Sequence, residues 1–311
     1  MYYFSRMSCP RKRASINGAY LDSRLRGNDS ALILSLFLMT VSFLTACSFA
    51  YAGEQASVEK LVQRLTPPLA VTAAKEPEED NWYYDAYYEP GDVLQGTRRG
   101  HWNELDYNFG YIHKNITGYM WISQQERFDV KNNAASLGAY INMDKDQYAH
   151  FECGLGWPTN FLYQLQSIVE YGHRIYDNLF GQVGYTYRSY RGSFDDTHLV
   201  TPGLIYYFGD SYLSANYGAS YMESHDTASI GVFKGDFAIT KFLRWNCGVA
   251  VGGRLYDILG KDAKDEQGYI LFTGVNISLY KGIGFRFGYI YGTEEPKFIK
   301  RSLYYAVSAK F

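Results

Sequence analysis

The sequence predicts an antiparallel transmembrane β-barrel, and three observations carry that expectation. From Asn81 onward apolar and polar residues alternate with period two, with no helix-period stretch of any length. The connections between these runs alternate between short and long, the layout of periplasmic turns and outer loops. With 31 Tyr and 30 Gly in 311 residues, the composition suits many strands with aromatic, half-buried faces. It excludes a disordered chain. A net charge of −2 leaves no footprint for nucleic acid.

The first element is a targeting segment. Residues 31–50 form one apolar run behind Arg24 and Arg26 and lead into Ala50-Tyr51-Ala52-Gly53, an A-x-A cleavage site. Cleavage after Ala52 makes 1–52 a signal peptide with an extended n-region, for which Met7 or an over-extended start is an explanation. Two alternatives stand beside it: a permanent single-span anchor, and a lipoprotein, because Leu44-Thr45-Ala46-Cys47 resembles a lipobox with Cys47 as lipidated N-terminus. Residues 53–80 read as a short periplasmic linker, with a helical turn or two over 56–65 stopped by Pro67-Pro68. Of the four Cys, Cys153 and Cys247 persist in the mature chain, without C-x-x-C or metal-like spacing, and no cofactor is expected.

The barrel itself is expected over 81–311. Short turns fall at 114–115, 143–146, 175–178, 209–211, 240–242 and 280–282. Longer loops fall at 127–133, 157–161, 190–196, 222–227, 258–267 and 293–299. Working back from a periplasmic final strand, an even count requires NWYYDAYY (81–88) as the first strand, followed by an outer loop at 89–101. That gives fourteen strands, with twelve as the fallback if 81–113 lies outside the wall. Fourteen leaves about 16 residues per strand and its turns, which fits ~9–11 spanning residues.

The two faces differ in chemistry. Leu303, Tyr305, Val307, Ala309 and Phe311 share one face, opposite Ser302, Tyr304, Ala306, Ser308 and Lys310. Ile283, Phe285, Phe287, Tyr289 and Tyr291 oppose Gly284, Arg286, Gly288 and Gly292. Tyr163, Leu165, Val169 and Tyr171 oppose Gln164, Gln166, Glu170 and Arg174. Leu243, Trp245, Cys247, Val249 and Val251 oppose Arg244, Asn246, Gly248 and Arg254. A face mixing glycine with isolated charges suits a crowded barrel interior, and the apolar face suits lipid. The tyrosine surplus is expected at the two aromatic girdles, where a phenol has one apolar and one wet end. The aromatics Trp82, Tyr83, Tyr84, Tyr87 and Tyr88 suggest sugar stacking or, more economically, girdle and first-strand packing. The terminal strand, with Tyr305, Val307, Ala309 and Phe311, resembles the β-signal by which the outer-membrane assembly machinery receives its clients. Outer-membrane lipid is the other expected partner, and the barrel is expected to be a monomer.

The chain resembles the YaiO family of outer-membrane β-barrels over most of 81–311. The stretches that carry the resemblance are LFGQVGYTYRSY followed by an acidic loop and HLVTPGLIYYFGD (179–210), GWPTNF (156–161), ERFDVKN (126–132) and the terminal SAKF. The resemblance implies a closed barrel in the bacterial outer membrane. It transfers no substrate or active-site residue.

The lumen is where chemistry is expected. Inward positions carry Glu104, Asp106, Glu152 and Glu170 on early strands and Arg188, Lys234, Arg244, Arg254 and Arg286 mostly on later ones, with Asp236 beside Lys234. An acidic arc facing a basic arc would set a transverse field across a narrow passage. An internal salt-bridge network stiffening the wall is the alternative, and the favoured one. His150 and Glu152 share a face and are expected to hydrogen-bond within the lumen. The nearest approach to a catalytic constellation is Glu223-Ser224-His225-Asp226 with Ser229, which lacks a nucleophile elbow or a barrel-hydrolase signature. The expected role is therefore a narrow pore or structural barrel in envelope or surface-polysaccharide traffic. A lipid- or peptide-hydrolase with a rim site is the alternative.

Overall fold

A computed structural model describes residues 81–158, 162–190, 196–222, 227–253, 267–279, 282–294 and 298–311. The expectations for the signal peptide, Cys47, Ala50, Ala52 and the linker lie outside the described residues, as do Arg254 and the segment 223–226. The described chain forms fourteen strands: β1 (Asn81–Gln95), β2 (Arg98–His113), β3 (Ile116–Arg127), β4 (Val130–Asn142), β5 (Gln147–Trp157), β6 (Leu165–Tyr176), β7 (Leu179–Ser189), β8 (Thr197–Phe208), β9 (Ser211–Met222), β10 (Thr227–Ala238), β11 (Leu243–Gly253), β12 (Gln267–Ser278), β13 (Ile283–Glu294) and β14 (Phe298–Lys310). Each pairs antiparallel with its chain neighbours, and β14 closes on β1. The closing ladder runs from Tyr83↔Lys310 to Gln95↔Phe298, and Phe311 exchanges backbone hydrogen bonds of 2.8 and 3.0 Å with Trp82. The ring has no free edge.

The wall departs from the expected loop plan on one side. The outer loop expected at 89–101 is strand: β1 continues to Gln95 and β2 starts at Arg98, joined by a tight turn in which Gly96 has φ +62°. The loop expected at 127–133 is a two-residue turn in which Phe128 and Asp129 both take positive φ, 48° and 70°. Two positive φ values make the primed turn whose twist matches that of the flanking strands. Phe128 tolerates this backbone because its ring lies over Gly100, beneath the Arg98 guanidinium at 4.7 Å, and its N–H bonds His101 O. Two prolines sit inside strands, where the missing N–H removes a ladder bond. Pro90 keeps its pairing to β2 and leaves a gap toward β14; Pro202 keeps its pairing to β7 and leaves a gap toward β9. Beside Pro202, a lipid-side groove of about 770 Å³ crosses β7–β10 over Gly181, Pro202, Ala215 and Gly231.

The alternation places Ile283, Phe285, Phe287 and Tyr289 of β13 outward and exposed, with Arg286, Gly288 and Ile290 inward. Outward aromatics pack in pairs: Trp82 on Tyr111 with ring centroids 4.7 Å apart, Phe237 on Trp245 at 5.2 Å, and Tyr269 on Tyr291 at 6.1 Å. Tyr163 does not join the lipid face. It stands in the β5–β6 connection, fully buried with Leu162, Trp121, Ala134 and Tyr190. A second set of tyrosines also departs from the girdle assignment. Tyr83, Tyr87, Tyr119, Tyr148, Tyr212 and Tyr304 share the parity of the inward glycines and charges.

Four of these rings, and that of Phe272, lie flat because a glycine stands opposite them in the ladder. Tyr83 pairs with Gly110, Tyr119 with Gly138, Tyr148 with Gly172, Phe272 with Gly248 and Tyr304 with Gly288. A methyl group at Gly110 would lie 2.1 Å from the Tyr83 ring, and one at Gly172 2.0 Å from that of Tyr148. Tyr304 also covers Gly274, where a methyl group would stand 1.9 Å from its hydroxyl oxygen and 2.8 Å from the Phe287 carbonyl oxygen. Gly118 faces lipid instead, and a methyl there meets nothing within 4 Å. Gly118→Ala is therefore expected to leave stability unchanged within about 0.5 kcal/mol, whereas Gly274→Ala costs about 1–3 kcal/mol. Denaturant unfolding of the micelle-embedded barrel, followed by the gel mobility of the folded form, measures both. Equal midpoints would remove lumen crowding as the reason for these glycines.

Candidate functional site: the lumen

With short turns at 114–115, 143–146, 177–178, 209–210 and 239–242, the end carrying Asn81 and Phe311 has the layout of a periplasmic end. From the outer end to this one, the inward side chains grade from a dry zone through a polar hydrogen-bond net to a wetter zone.

The outer zone is dry. Glu89 of β1 accepts hydrogen bonds from Lys300 Nζ at 2.6 Å, Ser302 Oγ at 2.6 Å and the Tyr87 hydroxyl. Both members of the Glu89–Lys300 ion pair are 0% exposed. The Lys300 ammonium also stands 4.4 Å from the Trp102 ring centroid, and the Arg127 guanidinium 3.7 Å from it. Phe298 meets the same indole edge-on at 6.0 Å. Glu104, Gln125, Asn132 and Glu294 are buried at the same end. Around this ionic centre Val93, Ile230, Val232, Ala250, Ile270 and Ile290 build an apolar lining over β10–β14 and β1. A charge pair this dry holds because its attraction is strong at low dielectric and its remaining hydrogen-bond sites are filled.

The middle of the lumen on β3–β9 is a hydrogen-bond net. The Tyr119 hydroxyl lies 2.7 Å from His150 Nε2 and donates to Glu152 Oε2 at 2.6 Å. One hydroxyl proton cannot serve both, so the net assigns the His150 proton to Nε2, which donates to the phenol oxygen. His150 stacks on Tyr140 at 4.0 Å with the planes 7° apart. Gln166 Nε2 donates to Glu152 Oε1 at 3.2 Å, and Arg188 Nε donates to Gln166 Oε1 at 2.9 Å. Next to it, Tyr148 donates to Glu170 Oε1 at 2.8 Å, and Gln182 Nε2 donates to Asn216 Oδ1 at 2.8 Å.

The periplasmic zone is wetter. Arg286 pairs with Asp85, and their side chains are 39% and 25% exposed. Arg244 Nε donates to Asp236 Oδ1 at 2.6 Å, and its Nη2 donates to Asp210 O at 2.7 Å. Arg174 Nε lies 2.8 Å from Asp146 Oδ1. Tyr304 donates to Asn246 Oδ1 at 3.0 Å.

Glu104, Asp106, Glu152, Glu170, Arg188, Lys234, Arg244 and Arg286 all lie on inward positions of their strands. Two of the basic residues are paired locally. Arg286 of β13 finds Asp85 of β1, and Arg244 of β11 finds Asp236 of β10. Glu152 and Arg188 share Gln166. Sequence reasoning missed Asp85, Glu89, Trp102, Arg127 and Lys300. The loop expectation over 89–101 hides Glu89; the parity of Glu89 with Tyr87, and of Trp102 with Glu104, is the signal that finds them. Tyr305, Val307 and Ala309 line the outward face of β14, and Ser229 points outward on β10. Among the described residues no cluster of three or more His, Cys, Asp or Glu side chains is placed to hold a metal ion. Cys153 and Cys247 are free thiols.

No family model and no curated protein matches the sequence. Solved structures do match the fold. A bacterial polysaccharide outer membrane secretin superposes with a TM-score of 0.53 at 8% identity, over 74% of this chain and 98% of that one. The toluene transporter TodX of Pseudomonas putida gives 0.52 at 9% identity, over 83% and 94%. The CymD monoaromatic hydrocarbon channel gives 0.51 at 7% identity, over 84% and 94%. With these neighbours and its closed ring, the chain is an integral β-barrel of the bacterial outer membrane.

The contrast between the two ion pairs is measurable. Lys300→Met leaves Glu89 buried without its cation and is expected to cost about 3–5 kcal/mol. Adding Glu89→Gln should restore most of that loss. Arg286→Met, in the wet zone, is expected to cost at most about 1 kcal/mol. Denaturant midpoints of the four proteins test this, and an unrescued double variant would count against a dry ionic centre.

Proposed function

We propose that this barrel is a narrow outer-membrane conduit of the YaiO type, serving envelope or surface-polysaccharide traffic as a monomer without catalytic chemistry. The observation that carries the proposal is the graded lumen, wet toward the periplasm and packed dry toward the outside. A solute reaching the periplasmic zone meets the Asp85–Arg286 and Asp236–Arg244 pairs and the phenol and amide groups of Tyr119, Tyr140, Asn246 and Asn276. Aromatic faces beside fixed hydrogen-bond donors and acceptors suit sugars, which present both C–H faces and hydroxyls. A barrel of fourteen strands lies between the eight-stranded barrels filled by their own side chains and the water-filled porins. Partial filling of this lumen accords with that size. The likeness to a polysaccharide secretin supports a conduit architecture, and the assembly machinery would receive the chain through Tyr305, Val307, Ala309 and Phe311.

In planar bilayers the purified barrel is expected to show small, discrete conductance steps. Trp102→Ala, which removes the ring that both Arg127 and Lys300 contact, should enlarge them severalfold. Glu170→Ala should lower cation preference and Arg244→Ala should raise it. Neutral oligosaccharides should block more strongly from the periplasmic side. Silence at every voltage in both the unmodified protein and Trp102→Ala would refute the conduit, and a lipid- or peptide-cleaving activity in pure protein would favour the enzyme alternative.

A further inference from the structure

The outer rim of the seam between β14, β1 and β2 carries charge on its lipid side. On β14 the exposed apolar run Val307, Tyr305, Leu303 gives way to Arg301, one outward position higher. Register aligns three outward rows here: Leu303 and then Pro90 and Asn103; above them Arg301, Asp92 and His101; above those Ile299, Leu94 and Arg99. Arg301 and Arg99 therefore stand two strands apart, with β1 between them, and two residues apart in height, about 12 Å between Cα atoms from strand spacing and rise. Long guanidinium side chains from both can converge on one group between them.

The other charges in reach are already engaged. Asp92, which lies between the two arginines, pairs with His101 Nδ1 at 3.3 Å. Arg98 at the hairpin tip stacks on Phe128, and Glu126 pairs with Lys131 at 3.8 Å. Among the described residues neither Arg99 nor Arg301 has a carboxylate within ion-pair distance, and both are exposed. Two exposed guanidinium groups flank the Asp92–His101 pair just above the apolar belt, on the outward face, at headgroup depth in the outer leaflet.

We propose that Arg99 and Arg301 form a docking site for the phosphoryl group of a phosphorylated glycolipid of the outer leaflet. Guanidinium binds phosphate oxygens through paired N–H donors, and its planar fork suits this better than ammonium. The acyl chains of the same molecule would lie along Leu303 and Tyr305, and the neighbouring β13 face of Phe287 and Tyr289. The site depends on the membrane location and orientation of the barrel and is independent of whether the lumen conducts.

The test uses the complete barrel in detergent, with bisphosphorylated lipid A, its dephosphorylated form and inorganic phosphate as probes, read by native mass spectrometry. Unmodified protein should retain lipid A and release the dephosphorylated form, and millimolar inorganic phosphate should not displace it. The double variant Arg99→Gln, Arg301→Gln should bind lipid A about thirtyfold more weakly, from the typical worth of two basic residues at an anionic membrane surface. Arg99→Lys with Arg301→Lys should recover part of that loss, and Lys145→Ala in a periplasmic turn should recover nothing because it loses nothing. Both arginines face solvent, so gel mobility should report a folded barrel for each variant. Three results would overturn the site: lipid A retention unchanged in the Gln variant, an equal loss in Lys145→Ala, or full displacement by free phosphate.

Discussion

The structure depends on a steric constraint: a ring that lies flat over the neighbouring strand needs a residue without a side chain directly across the ladder. Closure forces every second residue inward, and directly opposite Cβ atoms in an antiparallel pair stand only about 4.5–5.5 Å apart. A ring with a large partner stacks face to face instead, as Tyr140 does on His150, and lying flat requires glycine. Tyr83, Tyr119, Tyr148 and Tyr304 satisfy this with Gly110, Gly138, Gly172 and Gly288. The rings then cover the backbone of the neighbouring strand and deliver their hydroxyls to fixed places in the lumen. Glu152 and Glu170 receive phenol donors because Tyr119 and Tyr148 are pressed sideways over those glycines. Packing thus decides the positions of the polar groups before electrostatics acts on them.

Electrostatics then sorts the charges by wetness. Where phenols and amides keep the lumen polar, ion pairs such as Asp85–Arg286 stay partly solvated and contribute little to stability. Where Val93, Ile270, Ile290 and Phe298 crowd inward, Glu89 is held by three donors, among them its buried counter-ion Lys300. The same reasoning explains why Arg244 and Arg286 pair locally. A desolvated charge gains most from a partner at contact, and strand neighbours are nearer than residues across the barrel. Counter-ions therefore come from adjacent or next-but-one strands, as Arg244 and Asp236 show.

Much of this was legible in the sequence. Period two with a glycine-rich polar face determines class, closure and the inward parity of Glu104, Glu152, Glu170, Arg244 and Arg286. The even strand count and the participation of NWYYDAYY followed from turn parity alone. What was not legible depends on contacts between strands. Phe128 reads as a core residue, and only its ring over Gly100 makes a two-residue turn affordable there. Pro90 reads as a strand breaker, yet one ladder suffices because β2 holds its other side. Reading 89–101 as a loop hid the upper part of β1 and β2 and removed Glu89 from view. Tyr163 has outward parity in a linear count, but the strand begins after it, at Leu165, and the side chain is free to turn into the core.

The dry zone also bounds how the barrel could open. Separating Lys300 from Glu89 without replacement costs on the order of 3–5 kcal/mol, which corresponds to an open population of roughly one in 10² to 10⁴. Thermal motion alone would then leave the outer half closed almost all the time. A solute that passes must favour the open arrangement by a comparable factor, or carry groups that take over the partners of the displaced charges. Hydroxyl-rich molecules have that capacity, since each hydroxyl both donates to a carboxylate and accepts from an ammonium. An apolar solute has neither, and would leave Glu89 and Lys300 unsatisfied as it passed. In a conduit of the proposed kind, the ionic centre would therefore favour polar cargo over hydrocarbon in a lumen whose remaining upper lining is apolar.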